Sequence, residues 1–384
     1  CFWWQNTRLP YYPMLARGDF DMMKPLFDLY TTVLPVCKAR TKLYYGADGV
    51  YFPETMTSFG TYSNGDYGWK RDGMDRSNIN CPWWQYTWQQ GLELTQIMLE
   101  YYDYTGDEAF LKERALPMAR DSLRYYDSRF KRDERGKLLI TPTQAAETYW
   151  YEVVNDACSI GGLRTVCEQL LALPERIGSA EDRALWKRMM DATPALPTWT
   201  VGGKTAAAPA EKFKNQRSNC ETAELYPLFP FRCYGLSRPN IEHAINAYNA
   251  RVDKSTVGWT QDGAFAARLG LVDEAASNLI GKSRNSHPNF RFPAMWGPNF
   301  DWLPDQCHGA NLTILLQEML LQCDQGKIYI LPCWPEKWDV SFKLRAPRGT
   351  TVAVRYEGGE LRELTVTPPE RASDVVLPAW LKRP

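Results

Sequence analysis

Histidine is scarce in this sequence, neither sign of charge is in excess, and no apolar stretch runs on for long. Each shortage removes a class of function. Lysine plus arginine and aspartate plus glutamate both number 45. A balanced chain offers no electrostatic reason to expect nucleic acid or an anionic membrane as partner. No apolar run approaches the roughly 20 residues of a transmembrane segment, so the region reads as soluble. The three histidines are scattered and the ten cysteines form no C-x-x-C pair. With no metal-ligand spacing, the expectation is buried free thiols, no metal and no cofactor. No fixed repeat period is visible, which argues against a solenoid. The chain opens Cys1-Phe2-Trp3 without a methionine, and reads as a cut inside a longer protein whose N-terminal part is absent.

Aromatic side chains, by contrast, are plentiful: 13% of residues, with 15 Trp and 21 Tyr. Many sit in polar, Gly- and Pro-rich stretches. Examples are Phe2-Trp3-Trp4-Gln5-Asn6, Tyr62 to Trp69, Pro82-Trp83-Trp84-Gln85-Tyr86, and Trp296 to Trp302. A ring among polar neighbours offers an apolar face beside hydrogen-bonding groups, which suits the CH face and hydroxyl rim of a sugar. Single rings of this kind also serve as loop anchors. Clustering in loops is what favours a cleft.

Helical periodicity is expected over Phe20–Leu43, Tyr86–Tyr104, Glu108–Phe130, Val153–Leu173, Glu181–Ala192, Ile241–Val252, Ala264–Ile280 and Asn311–Cys323. Pro25 and Pro35 predict a kink or break in the first of these. From Lys327 the pattern turns to short β-branched segments: Lys327–Leu331, Val340–Leu344, Thr350–Tyr356 and Leu361–Val366. The division expected is a helical catalytic domain at 1–325 and a small β module at 326–384, the latter too small to build a core easily alone. Helix pairs joined by aromatic loops, without a repeat, point to a mainly α, closed (α/α)6 toroid with a C-terminal β-sandwich module.

Several segments resemble glycoside hydrolase family 95, the α-L-fucosidase and α-L-galactosidase family. Gln317-Glu318-Met319-Leu320-Leu321-Gln322, followed by Ile328 to Leu331-Pro332 and Trp338, is similar to the family's E-M-L-L-Q helix and the strand after it. Asn6-Thr7 to Tyr11-Tyr12-Pro13 resembles the family's N-x-N-x-x-M-N-Y-W-P, with Trp4 where the first Asn stands. The resemblance covers most of the chain as scattered anchors. It implies the helical toroid and an inverting reaction run by two carboxyl groups. Pro142-Thr143-Gln144-Ala145-Ala146-Glu147 is similar to the family's P-S-x-S-P-E and makes Glu147 the general acid. Such an acid must keep its proton near neutral pH, through burial or aromatic packing, and Tyr149, Trp150 and Tyr151 follow directly.

For the base, the family places an Asp before the E-M-L-L-Q helix. Counting back from Glu318 without a gap reaches Cys307, and a two-residue shift reaches Asp305. Asp305 is the expected base, with Asn6 positioning it and its water. Where the family has H-R-H-x-S-H-L, this chain has Asn219-Cys220-Glu221-Thr222-Ala223-Glu224-Leu225. Glu221 and Glu224, expected on one helical face, are read as contacts to sugar hydroxyls or as reserve bases. Asp262 either caps a helix or lines the cleft, and His308 either orients the site or starts a helix. Trp4, Arg8, Trp69, Trp150 and Trp302 complete the expected substrate contacts, and Glu54 sits in a cleft-like loop.

The expectation is therefore a hydrolase of glycosidic bonds in an oligo- or polysaccharide, secreted or periplasmic by enzyme class alone. Two rivals stand beside it. A polysaccharide lyase needs a Tyr or His base and a cationic or amide neutraliser for a uronate. A non-catalytic sugar-binding relative keeps the cleft without the base.

Overall fold

The structure, a computed structural model, describes residues 1–256, 258–284 and 306–381. A 3-10 turn at Leu9–Tyr11 leads into α1 (Tyr12–Arg17) and α2 (Phe20–Tyr45). There follow α3 (Gln90–Thr105), α4 (Leu116–Arg129), α5 (Ala157–Leu171) and α6 (Ala180–Ala192), then α7 (Ile241–Ala250), α8 (Asp262–Arg268), α9 (Val272–Arg284) and α10 (Gln306–Leu320). Every residue of α8, the first ten of α3 and the first seven of α5 are buried. Helices covered on all faces belong inside, whereas α2, α4 and α6 each keep a polar face and lie outside. The inner set closes on itself. α1 packs on α3, α3 on α5, and α5 on a 3-10 turn at Ala223–Leu225. Arg268 of α8 then reaches back to the carbonyls of Leu228 and Pro230 at 2.7 and 3.1 Å. α8 packs on α10, and α10 returns to α1. The result is the mainly helical toroid that the sequence predicts.

Close approach of α3 and α5 depends on glycine. A Cβ at Gly162 would stand 2.8 Å from the Phe231 ring and 2.9 Å from Leu92. No larger residue fits between these inner helices without displacing a core ring.

Three local expectations are corrected. Helix α2 runs unbroken through Pro25 and Pro35. Both prolines face solvent, so the carbonyls they leave unpaired can bind water. The helix expected over Ala264–Ile280 is two helices, α8 and α9, separated at Gly270, whose left-handed φ of 72° ends the first. The last residues of the helix expected over Asn311–Cys323 are instead a strand.

That strand, β1 (Leu321–Asp324), pairs with β2 (Lys327–Ile330), which pairs in parallel with β6 (Val375–Val376). A second antiparallel sheet orders β3 (Val340–Ala346), β4 (Thr350–Glu357) and β5 (Glu360–Thr367). Val352, Val354 and Tyr356 of β4 share one apolar cluster with Leu225, Phe229, Ala264 and Leu315 of the helical body. The β region thus borrows its core from the toroid. Among the described residues no helix is long and apolar enough to cross a membrane.

Candidate functional site

The N-terminal ends of the inner helices meet at one end of the ring, and acids collect there. Glu93 lies in the first turn of α3 and Asp156 caps α5, its Oδ1 accepting from the Ser159 amide at 2.8 Å. Glu221 stands just before the Ala223–Leu225 turn. Asp262 opens α8, and Cys307 and His308 begin α10. Free amide groups and the helix dipole favour negative charge at such ends.

Glu147 arrives on a turn between the short strand Leu138–Leu139 and α5. Ala146, directly before it, is held in the left-handed region at φ 50°, and Asn155 further on at φ 55°. Non-glycine residues enter this region seldom and at a cost, so the surroundings must fix the turn. They do. The Asn155 side chain accepts from the Ile140 amide at 2.8 Å and donates to Glu211 at 2.7 Å. Thr143 bonds Asp156 at 2.6 Å.

The Glu147 amide donates to Glu221 Oε2 at 2.5 Å, and Asn219 Nδ2 donates to Glu147 Oε2 at 3.0 Å. Glu221 Oε1 accepts from the Tyr226 hydroxyl at 3.1 Å and from Gln5 Nε2. Gln90 Nε2 donates to Glu54 Oε2 at 2.8 Å, while the Gln5 amide donates to Glu54 Oε1 at 2.5 Å. Arg8, fully buried, pairs with Glu93 at 3.0 Å and donates to the Tyr226 hydroxyl at 3.0 Å.

Four buried carboxyls therefore surround one guanidinium, and they cannot all be charged. Burial, then the neighbouring Glu221 and Glu54, raise Glu147 well above the carboxylate range, with Trp3 and Asn219 pulling weakly the other way. Burial also raises Glu221 and Glu54. Glu93 is pushed up to about 7 by burial against the pull of Arg8. Raised in this way, Glu147 keeps its proton at neutral pH.

Beside this cluster, Asn6 Nδ2 donates to Cys307 Sγ at 3.2 Å. Among the described residues it is thus a thiol that stands against Asn6. Asp305 and Trp302 lie outside the described residues.

The other expected residues fall in separate places. Trp4 is sealed in the core, edge-to-face on Tyr30 at 5.4 Å, and presents no free ring face. Arg8 is equally enclosed, and its guanidinium serves the acids rather than an open surface. Glu221 and Glu224 do not share a helical face, because the 3-10 turn begins only at Ala223. Glu221 turns to Glu147, whereas Glu224, pushed up to about 7 by burial, is under the influence of Arg217 and Asp253. Asp262 is engaged by Arg251 at 2.5 Å, and Gln261 is the capping residue of α8. His308 Nε2 contacts the Lys282 carbonyl at 3.0 Å; burial, then the Lys282 charge, lower it to about 4, so it is neutral at pH 7. Trp150 adjoins Glu147, its indole donating to the Glu147 carbonyl at 2.6 Å. Trp69 is exposed in the loop before Pro82. Sequence reasoning missed Glu93, Gln5, Asn219 and Gln144; Glu93 and Gln90 are polar residues inside a helix buried all round, which was a usable signal.

At the opposite end of the ring the C-terminal ends of α3, α5, α8 and α10 enclose a cavity of about 810 Å³. Arg232, Arg238 and Arg268 line it together with Glu168, Glu318 and Asp324. Arg232 and Arg268 both hold Glu318, at 3.0 and 2.9 Å, and Arg238 holds Asp324 at 2.9 Å and Glu168 at 2.8 Å.

Comparison with known proteins agrees with this architecture. The family model described as glycosyl hydrolase family 95 catalytic domain matches residues 5–302. Alpha-L-fucosidase 2 of Arabidopsis thaliana is 22% identical over 393 residues, covering 93% of this chain and 43% of that protein. A solved structure described as a kojibiose phosphorylase from the human microbiome superposes with a TM-score of 0.56 at 12% identity, over 93% of this chain and 55% of the other. The chain spans about half the length of these relatives.

Proposed function

The chain belongs to glycosyl hydrolase family 95 through its catalytic domain, and on that premise we propose that it hydrolyses a glycosidic bond of an oligo- or polysaccharide with Glu147 as general acid. The observation that carries the reading is a carboxyl buried against Glu221, whose Oε2 accepts from the Glu147 amide, and raised by burial and by Glu221 and Glu54. In the reaction Glu147 gives its proton to the bridging oxygen as the bond from that oxygen to the anomeric carbon breaks. A water adds to that carbon from the opposite face, and a base takes the water's proton. Inversion needs the two carboxyls roughly 6.5–9.5 Å apart. We assign the base side to Asp305 with Asn6. Glu221 is unsuited to it, since both its oxygens already accept hydrogen bonds and one of them takes the Glu147 amide itself.

The relative described as a phosphorylase raises a second nucleophile, phosphate. Activity is therefore to be compared with and without inorganic phosphate. The relative described as a fucosidase makes α-L-fucosides the first sugars to try.

The test is a panel of plant and host oligosaccharides, including α-L-fucosylated and α-L-galactosylated ones, offered to wild type and Glu147→Gln with and without inorganic phosphate. Free sugar of inverted anomeric configuration, formed at a rate indifferent to phosphate and lost in Glu147→Gln, is the expected result. A sugar 1-phosphate or an unsaturated product overturns hydrolysis. Binding without turnover overturns catalysis altogether.

A further inference from the structure

Two tryptophans flank the acid on its exposed side. Trp83 and Trp150 meet edge to face, centroids 5.0 Å apart and planes at 88°. Trp83 is 39% exposed, whereas Trp4, Trp84, Trp88 and Trp186 are all buried. One exposed ring needs no explanation. An exposed ring held rigidly against a half-buried one does. Trp150 is fixed by its indole bond to the Glu147 carbonyl at 2.6 Å. Trp83 is fixed by Gln144, a buried residue three positions before Glu147. Gln144 Nε2 donates to the Trp83 carbonyl at 2.6 Å, its Oε1 accepts from the Tyr86 amide at 2.7 Å, and its own amide donates to the Tyr86 carbonyl at 3.1 Å. The loop carrying Trp83 and the turn carrying Glu147 are thus stitched into one unit. Tyr151, 44% exposed and 6.3 Å from Trp150, extends the surface.

We propose that Trp83 and Trp150 form the subsite for the sugar on the leaving-group side of the scissile bond. The proposal rests on Glu147 being the acid. The oxygen it protonates departs with the leaving sugar, so ring surface anchored to the acid's own main chain is placed to carry that sugar. Ring faces pack against the CH face of a pyranose, and the fixed link to Glu147 sets the bridging oxygen against the carboxyl. The ligand class is a saccharide leaving group rather than a small alcohol.

Two probes separate this from the acid's own role: the oligosaccharide of the panel that wild type cleaves best, and the methyl glycoside of its terminal sugar, whose leaving group needs the acid's proton but fills no sugar subsite. Trp83→Ala and Trp150→Ala should lower kcat/KM on the oligosaccharide about 10- to 100-fold. That loss should exceed the loss on the methyl glycoside at least tenfold, and Trp83→Tyr should recover most of it. Equal losses on both probes, or none on the oligosaccharide, overturn the subsite while leaving Glu147 as acid. No turnover of any probe by wild type overturns the glycosidase reading and the subsite with it.

Discussion

The two ends of the inner helical ring hold the same kinds of side chain in different proportion. At the N-terminal end Glu54, Glu93, Glu147 and Glu221 are buried around Arg8. At the C-terminal end Arg232, Arg238 and Arg268 face Glu168, Glu318 and Asp324, and each of these acids has an arginine. Against the burial that raises it, Arg232 and Arg268 hold Glu318 below the usual carboxylate range. Arg238 does the same for Asp324 with help from Ser237. Both ends obey the helix dipole, anions at amino ends and cations at carboxyl ends. What differs is the balance. At the C-terminal end arginines hold Glu168, Glu318 and Asp324, and burial raises Glu100 in the same cavity wall. At the N-terminal end burial and mutual repulsion raise Glu147, the acid of the proposed reaction.

The largest test breaks the N-terminal end. Glu147→Gln keeps the shape and removes the transferable proton, so turnover of an oligosaccharide should fall about 10²–10⁴-fold. The fall on a glycosyl fluoride should be smaller, because fluoride leaves without protonation. Thermal stability should not fall, since a buried group that resists ionisation loses nothing on becoming an amide. The same change at the other end should do the reverse. Glu318→Gln strands Arg268, only 5% exposed at its side chain, and should cost about 3–5 kcal/mol in urea unfolding while the folded fraction keeps its kcat. If both variants lose activity and stability alike, the division into a chemical and a structural end fails.

The ends should also separate with pH. Glu224, at the N-terminal end, has its folded pKa raised to about 7 by burial, against about 4.3 in an unfolded chain. A raised carboxyl adds stability that is full below the unfolded value and is lost as pH rises through 7. Glu318 is lowered, so its contribution is present above the unfolded value and is lost as pH falls through its folded one. Wild type should therefore lose stability relative to Glu224→Gln between pH 5 and 8, by roughly 2–3 kcal/mol. Relative to Glu318→Gln it should lose stability only on the acid side. Melting curves of the three proteins across pH 3–8 check both signs.

Much of this was legible in the sequence and some was not. The helices announced themselves by period, and the change at Lys327 marked the strands. Motif spacing singled out Glu147 as the expected acid, and of the aromatic run after it Tyr149 is buried, Trp150 half-buried and Tyr151 exposed. The partners that raise it were not legible, because Gln5, Glu54 and Glu221 lie far apart in the chain and converge only when the ring closes. Trp4 and Arg8 looked like cleft residues because aromatics and arginines in polar segments do. Their segment in fact threads beneath the site, where ring and guanidinium are enclosed. The thiol of Cys307 against Asn6 was reached by ungapped counting, although the chemistry of a base argued for Asp305.

The smallest and sharpest comparison lies within the acid cluster, at Asn219. Its Nδ2 donates to Glu147 Oε2 at 3.0 Å and is one of the groups that lower the Glu147 pKa. Asn219→Ala removes a donor without touching the substrate's reacting atoms, so Asn219 is a positioning residue. Two effects follow, and they differ in kind. The carboxyl loses one of its fixings, and kcat should fall about 10-fold as the fraction of correctly aimed acid drops. The acid also loses a group that favours its charged form, so the alkaline limb of the kcat/KM profile should move to higher pH. A general loosening of the loop admits water to Glu147, eases its ionisation and moves that limb lower. The direction of the shift therefore decides whether Asn219 tunes the Glu147 carboxyl or merely props the loop that carries it.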